Sequence, residues 1–338
     1  MQTRNSKVDV LLPTYNVEKY VGTTLDCITN QTFRDINILI CDDCSNDGTL
    51  EIIQNYREKD SRIKIFNNSV NRGIIYTRNK LFDLSSSEYL AICDADDIYD
   101  PQRLQIQLDF LSKNKKVDAL GSYFMKGVEG NSTCKLPLQN NLIKAYLHLK
   151  NVIPNPVAFI RKSSLTQRSL KYTDDFKYAS DFDFWSKFSE AGRLANIDKS
   201  LFTYRIHSQQ ISERKKIEQR ISHLNIVRKK LQKLNSPFYE KSIRSILWSQ
   251  NDEAFSAVQS VCREINNVIN NLSFNCKSES LVPHVYDISL RSYCKRIGLK
   301  GFKNYTKYRG LKNLVKGKYF GTRFAFDCLT TKRQLKEI

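Results

Sequence analysis

The chain has 338 residues, of which 41% are hydrophobic and 11% aromatic, and its formal net charge is +19. This composition excludes a disordered or fibrous protein, and the length predicts one large domain and a smaller one. The sequence has no apolar run of the roughly 18–20 residues that a transmembrane helix needs. The N-terminus does not have the pattern of a secretory signal. We therefore expect a globular protein in the cytoplasm.

Nine cysteines are scattered along the chain. Their odd number and wide spacing do not indicate the dense disulfide framework of a small secreted domain. Cys41 and Cys44 form the one close pair, and without a second pair or nearby histidines they would supply only half of a zinc site. We expect the cysteines to be free thiols.

The positive charge is concentrated in the last third of the chain. Residues 211–338 carry a net charge of +16, whereas residues 1–210 carry +3. A basic segment can face nucleic acid, an anionic membrane or water alone, so its charge does not choose a partner. The residue pattern changes near Ser212. We expect a catalytic-type domain at 1–212 and a basic, mainly helical region at 213–338.

Short apolar runs alternate with helix-like segments over the first hundred residues, which is typical of a parallel sheet covered by helices. The predicted strands are 8–12, ended by Pro13, then 36–40, 63–66 and 89–92. The predicted helices are 17–30, 49–57, 74–84 and a helix from Pro101 to about 112. Later helices are predicted near 215–233, 238–250, 252–271 and 285–298. This order indicates an α/β nucleotide-binding half-domain.

Polar residues follow the predicted strands, at the place where open sheets of this class bind ligands. These residues are Thr14, Tyr15 and Asn16 after the first strand, 42–45 after the second, 67–68 after the third and 94–97 after the fourth. The carboxyl ends of these strands are therefore where we expect the functional site.

An acidic segment follows the fourth predicted strand, with four carboxylates at Asp94, Asp96, Asp97 and Asp100. Like charges this close together need compensation, and a hard divalent cation with oxygen ligands would supply it. Mg²⁺ or Mn²⁺ fits this chemistry. The alternative is a solvated acidic turn in which Asp100 caps the helix begun by Pro101.

The segment from Asp42 to Thr49 contains Asp43, Ser45, Asp47 and Gly48. All of these residue types are ordinary in turns and helix caps, so a structural role is one interpretation. The functional interpretation is that a carboxylate accepts hydrogen bonds from a nucleobase or a ribose hydroxyl. The segment by itself leaves both open.

Four segments in this order resemble family 2 glycosyltransferases of the GT-A fold. They are Pro13 to Asn16, Asp42 to Thr49, Asn71 to Asn79 and Asp94 to Asp97. Similar segments continue at 155–159, 180–185 and 204–207, so the resemblance covers about residues 7–212. It implies an α/β fold of the GT-A type, with a mixed, mainly parallel central sheet flanked by helices.

The resemblance also implies a nucleotide-sugar cleft. Asp43 and Asp42 would hold the nucleobase and ribose, with Thr14 beside them, and Asp94 would contact ribose or metal. Arg78 and Arg72 could pair with phosphate oxygens, although an arginine on a helix is usually solvated. The full set of residues expected to bind the nucleotide-sugar is Pro13, Thr14, Tyr15, Asn16, Asp42, Asp43, Asn71, Gly73, Arg78, Asp94 and Ala95.

The resemblance assigns the chemistry to three further residues. Asp96 would ligate Mn²⁺ or Mg²⁺, and His207 would complete the metal or diphosphate site, although a lone histidine is often structural. Asp181 matches the family's usual catalytic base, where the preceding glutamate is replaced here by Ser180. A helix cap is the alternative role for Asp181, and Asp183 is the alternative base.

The reaction implied is inverting transfer of a hexose or N-acetylhexosamine from a nucleotide-sugar, by family habit a UDP-sugar, to a saccharide or lipid-linked acceptor. Such an enzyme would act in cell-surface polysaccharide or glycolipid synthesis. After residue 290 the chain has 14 Lys and Arg against two acids, interleaved with aromatic residues. This tail suits an anionic membrane surface, on the cytoplasmic inner face. The alternatives are an ordinary basic helical surface and a homo-oligomer interface.

There are three alternatives to this function. A catalytically silent nucleotide-sugar-binding scaffold draws some support from Ser180. Nucleic-acid binding has only the basic tail in its favour, and no nucleic-acid partner is expected. A sugar nucleotidyltransferase would need a glycine-rich, lysine-containing triphosphate loop near the N-terminus, and the sequence has none.

Overall fold

The structure, a computed structural model, describes residues 6–127 and 132–233. The chain divides into two compact units, Met1–His223 and Leu224–Ile338. The predicted boundary at residue 212 stays a prediction, because most of the basic region lies outside the described residues. The helices predicted near 238–250, 252–271 and 285–298 lie there as well.

The first unit is built on a nine-stranded sheet. Its strands are β1 Val8–Thr14, β2 Ile36–Asp42, β3 Ile63–Asn67, β4 Tyr89–Ile92, β5 Ile98–Tyr99, β6 Ala119–Lys126, β7 Ser132–Cys134, β8 Phe159–Arg161 and β9 Leu194–Tyr204. The helices of the described chain are α1 Glu18–Thr29, α2 Thr49–Lys59, α3 Ile74–Leu84, α4 Arg103–Lys113, α5 Asn140–Tyr146, α6 Lys162–Thr166, α7 Ser180–Ala191, α8 Ile211–Arg214 and α9 Lys216–Lys233. Short 3₁₀ turns occur at Asn155–Val157 and Asp174–Ala179.

The strand order is β3-β2-β1-β4-β8-β6-β9-β5, and β7 pairs with β6 at the side. Strands β1 to β4 are mutually parallel, β8 runs antiparallel to β4 and β6, and β6 is parallel to β9. The prediction of a mixed, mainly parallel sheet flanked by helices is therefore confirmed. The four predicted strands of the first hundred residues correspond to β1 to β4, and the predicted helices between them correspond to α1 to α3.

The apolar core explains why these segments form a central sheet. All seven residues of β1 are buried, as expected for a strand covered on both faces. Helix α1 buries Leu25 and Ile28, and α2 buries Ile53. These side chains belong to one cluster with Val10 of β1 and Ile38 of β2. Burial of this apolar surface is the main source of stability for the fold.

Pro13 does not end β1, contrary to the expectation from sequence. The strand continues to Thr14 and stays paired with β2 through Pro13. In a parallel strand, residues i and i+2 direct their backbone groups to the same neighbouring strand. The carbonyl of Leu11 accepts the N–H of Cys93, just beyond the end of β4. Pro13 faces the same side past that end, so its missing N–H costs no ladder hydrogen bond.

The helix predicted from Pro101 begins two residues later, at Arg103. Pro101 and Gln102 instead form a turn. The carboxylate of Asp100 accepts the N–H of Gln102 at 2.8 Å, and the carbonyl of Asp100 accepts the N–H of Arg103. Asp100 therefore satisfies backbone donors at the start of α4, as the capping alternative expects.

None of the helices in the described ranges combines the length and hydropathy of a membrane span. The cysteines in those ranges, Cys27, Cys41, Cys44, Cys93 and Cys134, form no disulfide. Cys41 is buried and lies 3.8 Å from the amide oxygen of Asn68, and burial raises the pKa of its thiol to about 11.

A buried carboxylate in the middle of the sheet fastens the loop that precedes β4. Asp9 of β1 is 1% exposed. It accepts the backbone N–H groups of Ser86 at 2.6 Å and Ser87 at 2.8 Å, the hydroxyl of Ser87, and the amide of Asn37 on β2. Removal of the carboxylate would leave the buried N–H and hydroxyl of Ser87 without a partner and would also take the acceptor from the part-buried donors of Ser86 and Asn37.

We expect Asp9→Ala to lower the free energy of unfolding by about 2–4 kcal/mol, because two buried donors of Ser87 and the part-buried donors of Ser86 and Asn37 lose their acceptor. Urea denaturation followed by circular dichroism measures the change. The matched control is Asp35→Ala, since Asp35 is an exposed carboxylate just before β2; it should stay within about 0.5 kcal/mol of wild type. Equal effects of the two substitutions would contradict the role given to Asp9.

Candidate active site

The candidate site lies at the carboxyl ends of β1, β2 and β4, which meet at one edge because the strands are parallel. Thr14 at the end of β1 is opposite Asp42 at the end of β2. Leu11 is opposite Ile92, so the acidic segment leaves β4 beside the same edge. The topology thus brings together three of the polar segments that the sequence places far apart.

The carboxylate of Asp42 holds the loop after β2. It is 2% exposed and accepts the hydroxyl of Thr14 at 2.9 Å. It also accepts the backbone N–H of Ser45 at 2.8 Å and the hydroxyl of Ser45 at 2.6 Å. The loop is further joined to β1, because the amide oxygen of Asn16 accepts the N–H of Asn46. Asp42 therefore has a structural task.

Asp43 performs a similar task for the loop before α3. It is 3% exposed and accepts the amide of Asn68 at 2.7 Å. The backbone N–H groups of Arg72 at 2.8 Å and Gly73 at 2.7 Å complete its partners. A carboxylate has about four acceptor positions, so these three bonds leave about one of them for a ligand. Direct contact of Asp42 or Asp43 with a nucleotide stays a prediction.

The other residues expected at the nucleotide line this edge. Tyr15 is 44% exposed, and the exposed Asn71 precedes the turn at Gly73. Asn16 adopts a left-handed backbone, with φ of 51°. Pro13 and Arg78 line a small apolar cavity with Tyr172. An exposed aromatic ring and an exposed amide beside the loops are suited to contact a planar base.

Gly73 has φ of +84° and ψ of 163° at the start of α3. This region of backbone space is essentially reserved for glycine. A Cβ at this position would meet no heavy atom within 4 Å, so the requirement for glycine comes from the backbone alone. The N–H that this conformation presents is the one bound by Asp43.

We expect Gly73→Ala to lower the free energy of unfolding by about 1–3 kcal/mol through backbone strain. Gly22→Ala is the matched control. Gly22 lies inside α1, and its added Cβ would meet Ile52 and Tyr56 at an ordinary 3.9 Å, so it should raise stability by about 0.5–1 kcal/mol. Thermal and urea unfolding of both variants measure the difference, and a loss of the same size in each would contradict the argument.

The acidic segment after β4 is held from both sides by hydroxyl groups. Thr24 of α1 donates to the carbonyls of Ala95 at 3.0 Å and Asp97 at 2.8 Å. The hydroxyl of Tyr99 accepts the N–H of Asp94 at 2.7 Å and donates to its carbonyl. The backbone between Asp94 and Asp97 is therefore fixed.

The carboxylates of this segment have different partners. Asp94 pairs with the guanidinium of Arg78 at 2.7 Å, and Asp96 pairs with Nε2 of His207 at 2.9 Å. Asp97 is fully buried, with one oxygen accepting the N–H of Arg205 at 3.0 Å and the other without a partner in the described chain. The segment is thus not a solvated acidic turn.

The electrostatics of the segment favour an added cation. Burial and the neighbouring Asp94 raise the pKa of Asp96. Burial, Asp96 and Asp94 raise the pKa of Asp97 well above its ordinary value. These raised pKa values indicate an excess of negative charge that Arg78 and His207 do not fully compensate. Bound Mg²⁺ or Mn²⁺ would compensate it.

His207 lies in the loop between β9 and α8. Its ring stacks on Tyr20 of α1, with 4.2 Å between ring centroids and 26° between planes. The side chain of Gln210 accepts the N–H of His207 and donates to the carbonyl of Arg205. Nδ1 of His207 has no hydrogen-bond partner among the described residues. The ring is therefore oriented by stacking and by its bond to Asp96.

The described residues do not contain three His, Cys, Asp or Glu side chains converging on one metal position. Asp96 and His207 would thus offer one carboxylate and one imidazole. Mg²⁺ and Mn²⁺ sites of substrate-processing enzymes commonly use few side chains and complete the shell with water and phosphate oxygens. The donor set fits such an ion when a diphosphate is bound.

Asp181 lies in the first turn of α7 and is half-buried. One of its oxygens accepts the side-chain amide of Asn151 at 2.9 Å. The alternative base, Asp183, is buried and bound to Lys187 at 2.6 Å and Thr173 at 3.1 Å. Asp183 is therefore occupied by its own neighbours, whereas Asp181 keeps an oxygen without a hydrogen bond in the described chain.

Tyr172 lies beside Arg78 and close to Asp181. Its hydroxyl donates to Asn155 at 2.7 Å, and the guanidinium of Arg78 lies over its ring at 5.5 Å. Burial opposes the charge on Arg78, but Asp94, Tyr172 and Asp181 raise its pKa above the ordinary value. Arg78 therefore stays charged, and Asp94 and Asp181 both favour its charged form.

Several contacts of the site could not be found in the sequence. No pattern links Tyr20 to His207 or Asn151 to Asp181, since each pair is distant in the chain and formed by tertiary packing. Tyr172 lies in no segment that carries the resemblance. Asn155 does lie in such a segment, 155–159, and that segment is the sequence feature from which its role could be inferred.

Comparison with known proteins agrees with this geometry. The model of the family "Glycosyl transferase family 2" matches residues 9–177. This chain belongs to that family. An uncharacterized glycosyltransferase of Haemophilus influenzae is 32% identical over 70% of this chain and 75% of its own length. A chondroitin synthase of Escherichia coli is 26% identical over 70% of this chain but only 34% of its own length.

Solved structures of glycosyltransferases share the fold. The S. aureus TarS fragment 1–349 in complex with UDP-GlcNAc has a TM-score of 0.56 at 19% identity, covering 91% of this chain and 89% of that one. The mannosyltransferase PcManGT from Pyrobaculum calidifontis, in complex with GDP-Man and Mn²⁺, has a TM-score of 0.53 at 13% identity, covering 99% and 89%. The GT-A type of fold is confirmed, and the family 2 protein is a glycosyltransferase.

Proposed function

We propose that this glycosyltransferase is metal-dependent and inverting, and that it transfers a sugar from a UDP-sugar to a saccharide or lipid-linked acceptor. The observation that carries the proposal is the arrangement around Arg78. Its guanidinium pairs with Asp94 and lies over Tyr172, Asp96 of the same acidic segment pairs with His207, and the charge of Asp181 acts on Arg78. A diphosphate group needs positive groups to bind it, and an acceptor hydroxyl needs a carboxylate to take its proton.

The donor class is supported by two relatives. The TarS fragment holds UDP-GlcNAc, and the chondroitin synthase of Escherichia coli is named for a polysaccharide. We therefore propose a UDP-linked hexose or N-acetylhexosamine as donor, and polysaccharide or glycolipid synthesis as the process. The exposed Tyr15 and Asn71 would contact the base, while the loops fixed by Asp42 and Asp43 shape the cleft.

Asp96 and His207 would hold Mn²⁺ or Mg²⁺. When bound there, the ion supplies positive charge that stabilises a departing diphosphate. Arg78 contributes a second fixed positive charge, since its planar guanidinium can bind phosphate oxygens while keeping Asp94. The buried, fixed backbone from Asp94 to Asp97 keeps these groups in place before substrate arrives.

Asp181 would act as the general base. Its unbonded oxygen accepts the proton of the acceptor hydroxyl as that oxygen attacks the anomeric carbon. The bond from the anomeric carbon to the diphosphate oxygen breaks in the same step, so an α-linked donor gives a β-linked product. Asp183 is not suited to the task, because Lys187 and Thr173 already occupy it.

The proposal predicts nucleoside-diphosphate release from one member of a panel of UDP-, GDP- and dTDP-sugars with Mn²⁺, and loss of this turnover with EDTA. Asp181→Asn should lower kcat by about 10²–10⁴-fold without changing donor binding. Asp96→Ala should remove the response to Mn²⁺. Asp198→Asn and Asp198→Ala are matched controls, since Asp198 is an exposed carboxylate on β9.

Two results would contradict the proposal. Full turnover by Asp181→Asn would remove the base assignment, and donor binding without turnover in wild type and variants alike would favour a silent scaffold. Calorimetric titration with UDP and Mn²⁺ separates these cases, because it measures binding without chemistry.

We also propose that the basic region contacts an anionic membrane surface on the cytoplasmic side. The support is the presence of 14 Lys and Arg against two acids after residue 290, mixed with aromatic residues. Cationic residues attract anionic lipid headgroups, and aromatic rings partition into the interface. A lipid-linked acceptor would then be within reach of the enzyme.

We expect the full chain to co-sediment with vesicles of phosphatidylglycerol and phosphatidylcholine, and not with phosphatidylcholine alone. Replacing Lys312, Lys316 and Lys318 together by Gln should weaken binding several-fold, whereas the same change at the exposed Lys113, Lys115 and Lys116 should have a smaller effect. Tighter binding to labelled DNA or RNA than to anionic vesicles would favour the nucleic-acid alternative instead.

A further inference from the structure

We propose that Asn151 is the positioning residue for Asp181: its side-chain amide holds one carboxylate oxygen, which leaves the second oxygen for the acceptor hydroxyl. The inference rests on the proposed role of Asp181 as general base. The residue before Asp181 is Ser180, and Asn151 would orient the carboxylate in its place.

The contact is directional because both ends of the Asn151 amide are engaged. Oδ1 of Asn151 accepts the backbone N–H of Ile153 at 3.0 Å. This bond settles which end of the amide carries the NH₂ group, and that group donates to Oδ2 of Asp181 at 2.9 Å. Because the Asn151 amide cannot flip, its NH₂ group holds the carboxylate in one orientation.

The segment that carries Asn151 is itself held in place. Nε2 of His223 on α9 donates to the carbonyl of Leu149 at 2.8 Å, and the ring of His223 packs on Phe182 beside Asp181. The 3₁₀ turn Asn155–Val157 follows, and Asn155 is bound by Tyr172. Asn151 therefore lies between two fixed points, so its amide cannot follow a displaced Asp181.

The residue before Asp181 does not perform this task. Ser180 is 6% exposed and makes no side-chain hydrogen bond to Asp181 in the described chain. Among the residues that the structure describes, the charged and titratable groups that act on Asp181 are Arg78 from α3, Tyr172 from the preceding segment and His223 from α9. Asn151 differs from all three, since it binds the carboxylate directly and carries no charge.

A hydrogen bond to the ionised form of a carboxylate favours that form. Loss of the Asn151 donor should therefore shift the acid limb of the pH–rate profile to higher pH. Asn151→Asp is the sharpest change, because it is isosteric and retains the acceptor for the Ile153 N–H. It replaces only the group that faces Asp181, by an oxygen that repels it.

We expect Asn151→Asp to move the acid limb of kcat upward by about one pH unit, with KM for the UDP-sugar unchanged. Asn151→Ala should move it in the same direction by less. The matched control is Asn114→Asp, which adds an equal charge at an exposed residue after α4 and should leave the profile unchanged. A structural role alone would lower activity equally at every pH.

A second measurement does not depend on activity. The double variant Asn151→Asp with Asp181→Asn reverses the donor and the acceptor and restores the hydrogen bond. At pH 8 it should regain the Tm that Asn151→Asp loses, yet stay inactive because position 181 has no carboxylate. Failure of the double variant to regain stability would overturn the contact.

The outcomes separate this inference from the proposed function. If Asp181→Asn abolishes turnover while Asn151→Asp keeps the wild-type pH profile, the base assignment stands and the positioning role is wrong. If Asp181→Asn retains turnover, both are wrong. If both variants behave as expected, Asn151 is confirmed as the residue that positions the base.

Discussion

The carboxylate of Asp43 is the constraint on which the candidate site depends. It is buried at the end of β2, and burial of a carboxylate is tolerated only when hydrogen bonds compensate the lost hydration. Its partners are Asn68 after β3 and the backbone before α3. This fixes where α3 begins, and thereby where Arg78 projects toward Asp94. Removal of this one acceptor would release the first turn of the helix that carries the central positive charge.

Several buried aspartates in this fold hold loops in place through hydrogen bonds. Asp9 binds the loop before β4, Asp42 binds the loop after β2, and Asp97 binds the backbone at Arg205. Each of them accepts backbone N–H groups that secondary structure leaves unpaired. The arrangement gives rigid loops at the edge of the sheet, and rigid loops preorganise charges that must act on a substrate.

The sequence predicted the half of the site that comes from local patterns. Strands β1 to β4 are apolar runs and the acids directly follow them, so their approach at one edge could be inferred from parallel topology. The sequence predicts that Pro13 ends the first strand, which is wrong. The missing N–H of Pro13 costs no hydrogen bond, because β4 ends beside it. The stacking of His207 on Tyr20 and the contact of Asn151 with Asp181 arise from packing between distant segments. Such contacts leave no periodicity or short motif in the sequence.

The acidic segment after β4 has more carboxylates than cationic partners. Asp94 has Arg78, Asp96 has His207, and Asp97 has one oxygen without a partner. Two cationic partners, one of them charged only when protonated, stand against three buried or half-buried carboxylates. A protein can relieve such an excess by protonation, as the raised pKa of Asp97 indicates, or by binding a positive ion. The burial that raises these pKa values therefore leaves negative charge that a cation could compensate, and the metal dependence proposed for this enzyme would use that charge.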